Sequence, residues 1–266
     1  MIRESFYRVF KRKRIFLILL VIIGINVFDI IPRNALTLAA SSPIIQSAFV
    51  DNIMINGAYG SPYVAFTFLS FILASLPMAD CLVEDRDTGI NKIYLLKISK
   101  KKYLRDRFLL NFVYGGLSLA VVIFINLLVW MMLRPSSPVT HYNVNLLNNF
   151  FLIDLLEKSP IFYYIAMLLR LFVVGGTMAS FAMFLNDLFK SRYIGIGGVF
   201  ILDIVISLVG TIIFEKIGKP GSFGGLTRLV DGLALNLGLI DFLYLMLLLV
   251  IPLVYFFVIK KDREVL

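Results

Sequence analysis

A single cysteine (Cys81) and a single histidine (His141) in 266 residues leave no second thiol for a disulfide and too few ligands for a Cys/His metal site. Charge is scarce too: only 16% of residues are Asp, Glu, Lys or Arg, against about a quarter in ordinary globular chains. No GxxxxGK[ST] loop is present, because Gly218-Lys219 lacks both the earlier glycine and the hydroxyl residue, so nucleotide binding by that route has no basis. HExxH and GxSxG are missing as well, and one histidine on a connecting segment makes no nucleophile–base pair. The chain reads as non-catalytic, with no catalytic or metal residues.

What the sequence holds instead is long apolar runs, with 59% hydrophobic residues. About 17–25 apolar residues are needed to cross a bilayer. Six runs meet that length: about 15–31, 63–79, 108–133, 161–185, 193–214 and 239–259. The expected fold is an all-α integral membrane protein, one membrane domain over residues 1–266. The net charge of +9 would suggest nucleic acid in a soluble chain, but here it reports topology. With the N-terminus inside, 19 basic residues fall on the inner side and 6 on the outer, which fits the positive-inside rule and places both termini in the cytoplasm. A multi-pass plasma-membrane protein follows, with lipid as one partner and nucleic acid as none.

The N-terminus imitates a signal peptide, with Lys11 to Arg14, an apolar run and Ala39-Ala40. Asn26 and Asp29 within the run, and Pro32-Arg33 after it, argue for a retained first span. Residues 1–14 suit a basic amphipathic helix at the headgroups, with Ile2, Phe6, Val9 and Phe10 on one face. Between the third and fourth spans, residues 146–151 suit a surface helix. Residues 215–238, turn-rich and then alternating, suit either a short helix dipping into the membrane or one lying on its surface.

Polar groups inside spans are costly. At about 1.5 Å per residue, Arg170 lies roughly 14 Å from the outer end of its span and Asp203 roughly 15 Å from the inner end of its own, both near mid-depth. An Arg170–Asp203 ion pair is expected, either locking two helices together or belonging to a coupling site. Asn26, Asp29, Asn126 and Asp241 fall nearer the outer boundary and suit a polar vestibule or ordinary interfacial positions. Gly115-Gly116 and the small-xxx-small pairs Gly175/Ala179 and Gly176/Ser180 predict close helix approach, within or between subunits.

One long charged segment interrupts the apolar chain: Asp80 to Arg107, between the second and third spans. Ile90, Ile93 and Tyr94 fall at i, i+3 and i+4, with Leu96 nearby, which gives a short helix an apolar stripe. The segment suits a docking element for a soluble partner or an ordinary charged loop. Glu84-Asp85-Arg86-Asp87 reads as a solvated turn and helix start.

Six spans, the amphipathic N-terminus and this loop together resemble the membrane subunits of ATP-binding-cassette transporters of the type-2 permease family. The local likeness is Glu84-Asp85-Arg86-Asp87-Thr88-Gly89, then Leu95-Leu96, then Ile98-Ser99-Lys100-Lys101-Lys102-Tyr103-Leu104. Ile90 stands where the family usually has Thr, a customary proline is missing, and the spacing is about one residue short. The resemblance implies that Asp87 to Leu96 form a coupling helix seated in a groove of a cytoplasmic ATPase. Ile90, Ile93, Tyr94 and Leu96 would then be the apolar contacts, with Gly89 at the helix start. Glu84, Asp85, Arg86 and Lys92 would form the rim. It further implies a second permease subunit, identical or paralogous, and ATP and Mg bound by the partner ATPase, with no cofactor in this chain. The function expected is export of an amphipathic substrate such as a hydrophobic peptide. Two alternatives stand beside it: an ion-coupled secondary transporter using Arg170 and Asp203, and a membrane-embedded enzyme.

Overall fold

The computed structural model describes residues 11–39, 47–55, 60–139, 152–217, 224–231 and 237–260. The amphipathic helix expected over 1–14 and the surface helix expected over 146–151 lie largely outside these residues. Among the described residues the regular structure is helical. In order these are α1 (Lys13–Ala39), α2 (Ser61–Ser75), α3 (Cys81–Asp87), α4 (Ile90–Lys97), α5 (Lys100–Leu133), α6 (Ile153–Lys158), α7 (Pro160–Leu188), α8 (Ile194–Lys216), α9 (Gly225–Val230) and α10 (Leu239–Val254). A π-helical turn, Tyr255–Ile259, continues α10.

Five of these segments are long and apolar enough to cross a membrane: α1, α5, α7, α8 and α10 with its π-helical end. The second expected span is realised as α2, whose 15 residues cover about 22 Å, short of a hydrocarbon core about 30 Å thick. By contrast α5 has 34 residues and runs about 51 Å, well beyond that thickness. Its first eight residues, Lys100 to Arg107, are mostly charged, so the excess projects at the end of the bundle that carries the basic loop.

Local chemistry sets several boundaries. Pro62 and Pro160 sit in the first turns of α2 and α7, where a missing N–H costs nothing. Gly89, at φ +70°, breaks α3 from α4 in a left-handed conformation that suits glycine. Ser99, in extended conformation, starts α5.

The centre of the bundle is the α5–α7 pair, and α7 also packs against α2, α8 and α10. Small residues make the pair possible. A methyl group on Gly175 would lie 2.6 Å from the Gly115 carbonyl oxygen, and one on Gly116 2.5 Å from that of Phe172. Asn111 donates to the Ala179 carbonyl at 2.7 Å across the same seam. The close approach read from the small-residue pairs therefore occurs within one chain. Gly175→Leu should force the two helices apart, an overpacking cost of about 1–3 kcal/mol or more. On size-exclusion chromatography in detergent it should lose the monodisperse peak. Gly197→Leu, with open space around it, should keep that peak.

The opposite end of the bundle is sealed by polar groups. Asp29, 1% exposed, accepts hydrogen bonds from Arg33 at 2.9 Å, Asn126 at 2.9 Å and the Trp130 indole at 3.1 Å. Asn126 in turn accepts the Ile53 N–H at 3.1 Å, and Asp51 pairs with Arg33 and Arg134. Asn26 donates to the Ile22 and Val122 carbonyls. Asp241 is buried and accepts the Gly238 N–H at the start of α10. All four are buried, Asp29 and Asn126 bonded to each other and Asn26 and Asp241 to nearby backbone groups, so a water-filled polar vestibule is not what Asn26, Asp29, Asn126 and Asp241 form.

Candidate functional site

The Asp80–Arg107 loop folds as two short helices packed on the projecting end of α5. Glu84 to Asp87 are not a solvated turn. They lie within α3, and each of their four charges is held by a residue far along the chain. Asp85 is fully buried and pairs with Arg107 at 2.6 Å, while the Tyr103 hydroxyl donates to it at 2.8 Å. Arg86 pairs with Asp187 at 2.5 Å, and Asp87 with Arg192 at 2.5 Å. Glu84 pairs with Arg12, which also reaches Asp80 at 3.1 Å, and Arg14 joins Asp80 at 2.5 Å. α3 is thereby tied to α5, to the start of α1 and to the α7–α8 connection.

Asp187 is the residue that the sequence did not single out. Only 4% exposed, it receives Arg86 from α3, Lys260 at 2.6 Å from the end of the last helix, and the Tyr255 hydroxyl at 2.9 Å. Burial pulls the Lys260 ammonium below the ordinary lysine range, and the Asp187 carboxylate pulls it part of the way back. One carboxylate thus joins the loop to the π-helical turn. Cys81, also buried here, is an inert packing group: burial pushes its thiol up to about 12, and its sulfur rests 3.9 Å from that of Met183.

α4 divides the expected apolar stripe between two faces. Tyr94 turns inward, its ring 6.1 Å from that of Tyr103 and 5.4 Å from the Arg107 guanidinium carbon. Leu95 and Ile98 also pack on the core, and Asn91 is buried. Ile90 is half-buried. Outward point Lys92, Ile93, Leu96 and Lys97, with Ile93 58% and Leu96 88% exposed. Of the residues expected to meet a partner, then, Ile93, Leu96 and Lys92 are accessible. Asp85 is not, and Glu84, Arg86 and Tyr94 are engaged within the chain.

Deeper in the bundle, Arg170 and Asp203 do not form the expected ion pair. Both instead hold α9, the short helix in the segment expected either to dip into the membrane or to lie on its surface. Asp203, 1% exposed, accepts the Leu226 N–H at 2.8 Å and the Tyr244 hydroxyl at 3.1 Å. The Thr227 N–H and hydroxyl lie at 3.4 Å from the same carboxylate. The first turn of a helix carries unsatisfied N–H groups and partial positive charge, which a carboxylate complements. Arg170 binds the other end, donating to the Asp231 carbonyl at 2.8 Å and to the Met167 sulfur at 3.0 Å. The Tyr63 hydroxyl donates to the Asp231 carboxylate. Gly225 is required twice over: its φ is +70°, and a Cβ there would sit 2.7 Å from an Asp203 oxygen. α9 is clamped at both ends by charged groups from α7 and α8.

Compared with protein-family models, curated proteins and solved structures, the chain matches none.

Proposed function

We propose that this chain is the permease subunit of an ATP-driven transporter, with α4 as the helix through which a separate cytoplasmic ATPase drives it. In this reading the chain has six spans, α2 being the short one, with both termini and the α3–α4 hairpin in the cytoplasm of a cell membrane. The observation that carries it is α4 itself. A two-turn helix is fixed on the end of a long span, with Ile93 and Leu96 left uncovered. A contiguous apolar patch rimmed by polar residues marks an interaction site, and here Ile93 and Leu96 adjoin on one face with Lys92 and Lys97 beside them. The Arg86–Asp187–Lys260 link gives a rigid path from that hairpin to the last span. ATP and Mg belong to the partner, a second permease subunit completes the pathway, and the apolar spans favour export of an amphipathic cargo such as a hydrophobic peptide.

The secondary-transport reading has less support, since Arg170 and Asp203 are occupied in holding α9. The test is copurification from native membranes in mild detergent. A Walker-motif ATPase should accompany the chain, and Ile93→Asp with Leu96→Asp should reduce its recovery at least tenfold without loss of the permease peak. An ATPase that stays bound to the double variant, or never appears with the parent chain, overturns the proposal.

A further inference from the structure

The exposed arc of α4 carries a charge pattern that specifies its partner's surface. At about 100° per residue, Lys92, Leu96, Ile93 and Lys97 follow one another around the helix over about 140°. All four are exposed, while Asn91, Tyr94 and Leu95 take the other side. An apolar pair therefore lies between two lysines. Lys101 and Lys102, exposed on the first turn of α5, add positive charge beside them.

The loop's negative charge has meanwhile been withdrawn. Asp80, Glu84, Asp85, Asp87 and Asp106 each form an ion pair within the chain. Among the described residues Lys92, Lys97, Lys101 and Lys102 form none. What remains for a partner is apolar in the centre and positive at the rim.

We infer that α4 docks into an apolar pocket rimmed by Asp and Glu carboxylates on a soluble protein. This rests on the reading of α4 as the ATPase-docking helix and adds the chemistry of the opposing surface. An anionic lipid surface is the other occupant with matching charge. A helix that lies in lipid buries a whole apolar face. α4 spends Tyr94 and Leu95 on its own core and offers only Ile93 and Leu96. Two side chains between flanking charges fit a pocket in a protein. Complementary rim charges also steer encounter and make it sensitive to salt.

The experiment uses the full chain in its native membranes. Leu96 is replaced by p-benzoyl-phenylalanine for photocrosslinking, and separate samples receive a zero-length carbodiimide, which joins a lysine amine to a touching carboxylate. Photoadducts to a soluble polypeptide are expected, with carbodiimide links from Lys92 or Lys97 to its Asp or Glu residues. Lys92→Arg with Lys97→Arg should abolish those links and keep the photoadduct. Lys92→Glu with Lys97→Glu should cut the photoadduct at least tenfold. A photoadduct to a nucleotide-binding polypeptide, with no carboxylate links and no effect of charge reversal, overturns the acidic rim and leaves the docking reading intact. Carboxylate links to a polypeptide without nucleotide-binding motifs support the rim and defeat the ATPase reading. Photoadducts to lipid alone overturn both.

Discussion

Asp85→Asn should destabilise the protein by about 3–5 kcal/mol, the usual cost of leaving a buried charge without its counter-ion. The stranded group is Arg107, 1% exposed, which pairs with Asp85 at 2.6 Å beside the rings of Tyr94 and Tyr103. An asparagine keeps the shape and loses the charge, so the loss measures electrostatics rather than packing. The replacement of both partners is the sharper comparison. Asp85→Leu with Arg107→Met removes the pair and its desolvation together, and should recover most of the lost stability. Equilibrium unfolding in mixed micelles would give both values. A double variant as unstable as Asp85→Asn would mean that the pair is held for its hydrogen bonds to Tyr103 rather than for charge balance. The consequence is local: α4 leans on Tyr103 and Arg107 through Tyr94, so loosening them should disorder the exposed face of α4, the surface proposed to dock, before the long helices unfold.

How far this architecture was legible in the sequence depends on what kind of information each feature needs. The long helices α1, α5, α7, α8 and α10 follow from apolar runs of sufficient length, because a bilayer-spanning helix satisfies its own backbone. Gly115, Gly175 and Gly176 announced close approach, and the α5–α7 seam is where it occurs. α4 shows the limit of periodicity. Spacing of i, i+3 and i+4 grouped Ile90, Ile93 and Tyr94 on one stripe. Yet which edge of a stripe faces inward depends on what waits there, and Tyr103 and Arg107 waited for Tyr94. The acidic run misled for a related reason. Its partners, Arg12, Arg107, Asp187 and Arg192, lie elsewhere in the chain, and nothing local marks Glu84 to Asp87 as satisfied. Depth arithmetic placed Arg170 and Asp203 at similar heights, but height along a helix says nothing of azimuth. The missing clue was α9: a glycine-led helix start beside an intramembrane carboxylate is a donor set in need of an acceptor.

Asp203→Leu should detach α9 and cost on the order of 3 kcal/mol, since it leaves several donors, two of them backbone N–H groups, without an acceptor, and each such loss is worth about 1–3 kcal/mol. Hydrogen exchange should show the cause directly, with the Leu226 and Thr227 amides losing protection while α5 and α7 keep theirs. Arg170→Gln should release the same six-residue helix from its other end, through the Asp231 carbonyl. Because α9 is held at two ends and leaves as one unit, the double variant should cost less than the sum of the singles. A charge swap separates this clamp from a direct ion pair. Arg170→Asp with Asp203→Arg would be tolerated if the two side chains met each other. Here it places a carboxylate against the Asp231 carbonyl oxygen and a guanidinium against N–H donors, so both contacts become repulsive. The swapped protein should be less stable than either single variant, and recovery to near the parent stability would refute the clamp.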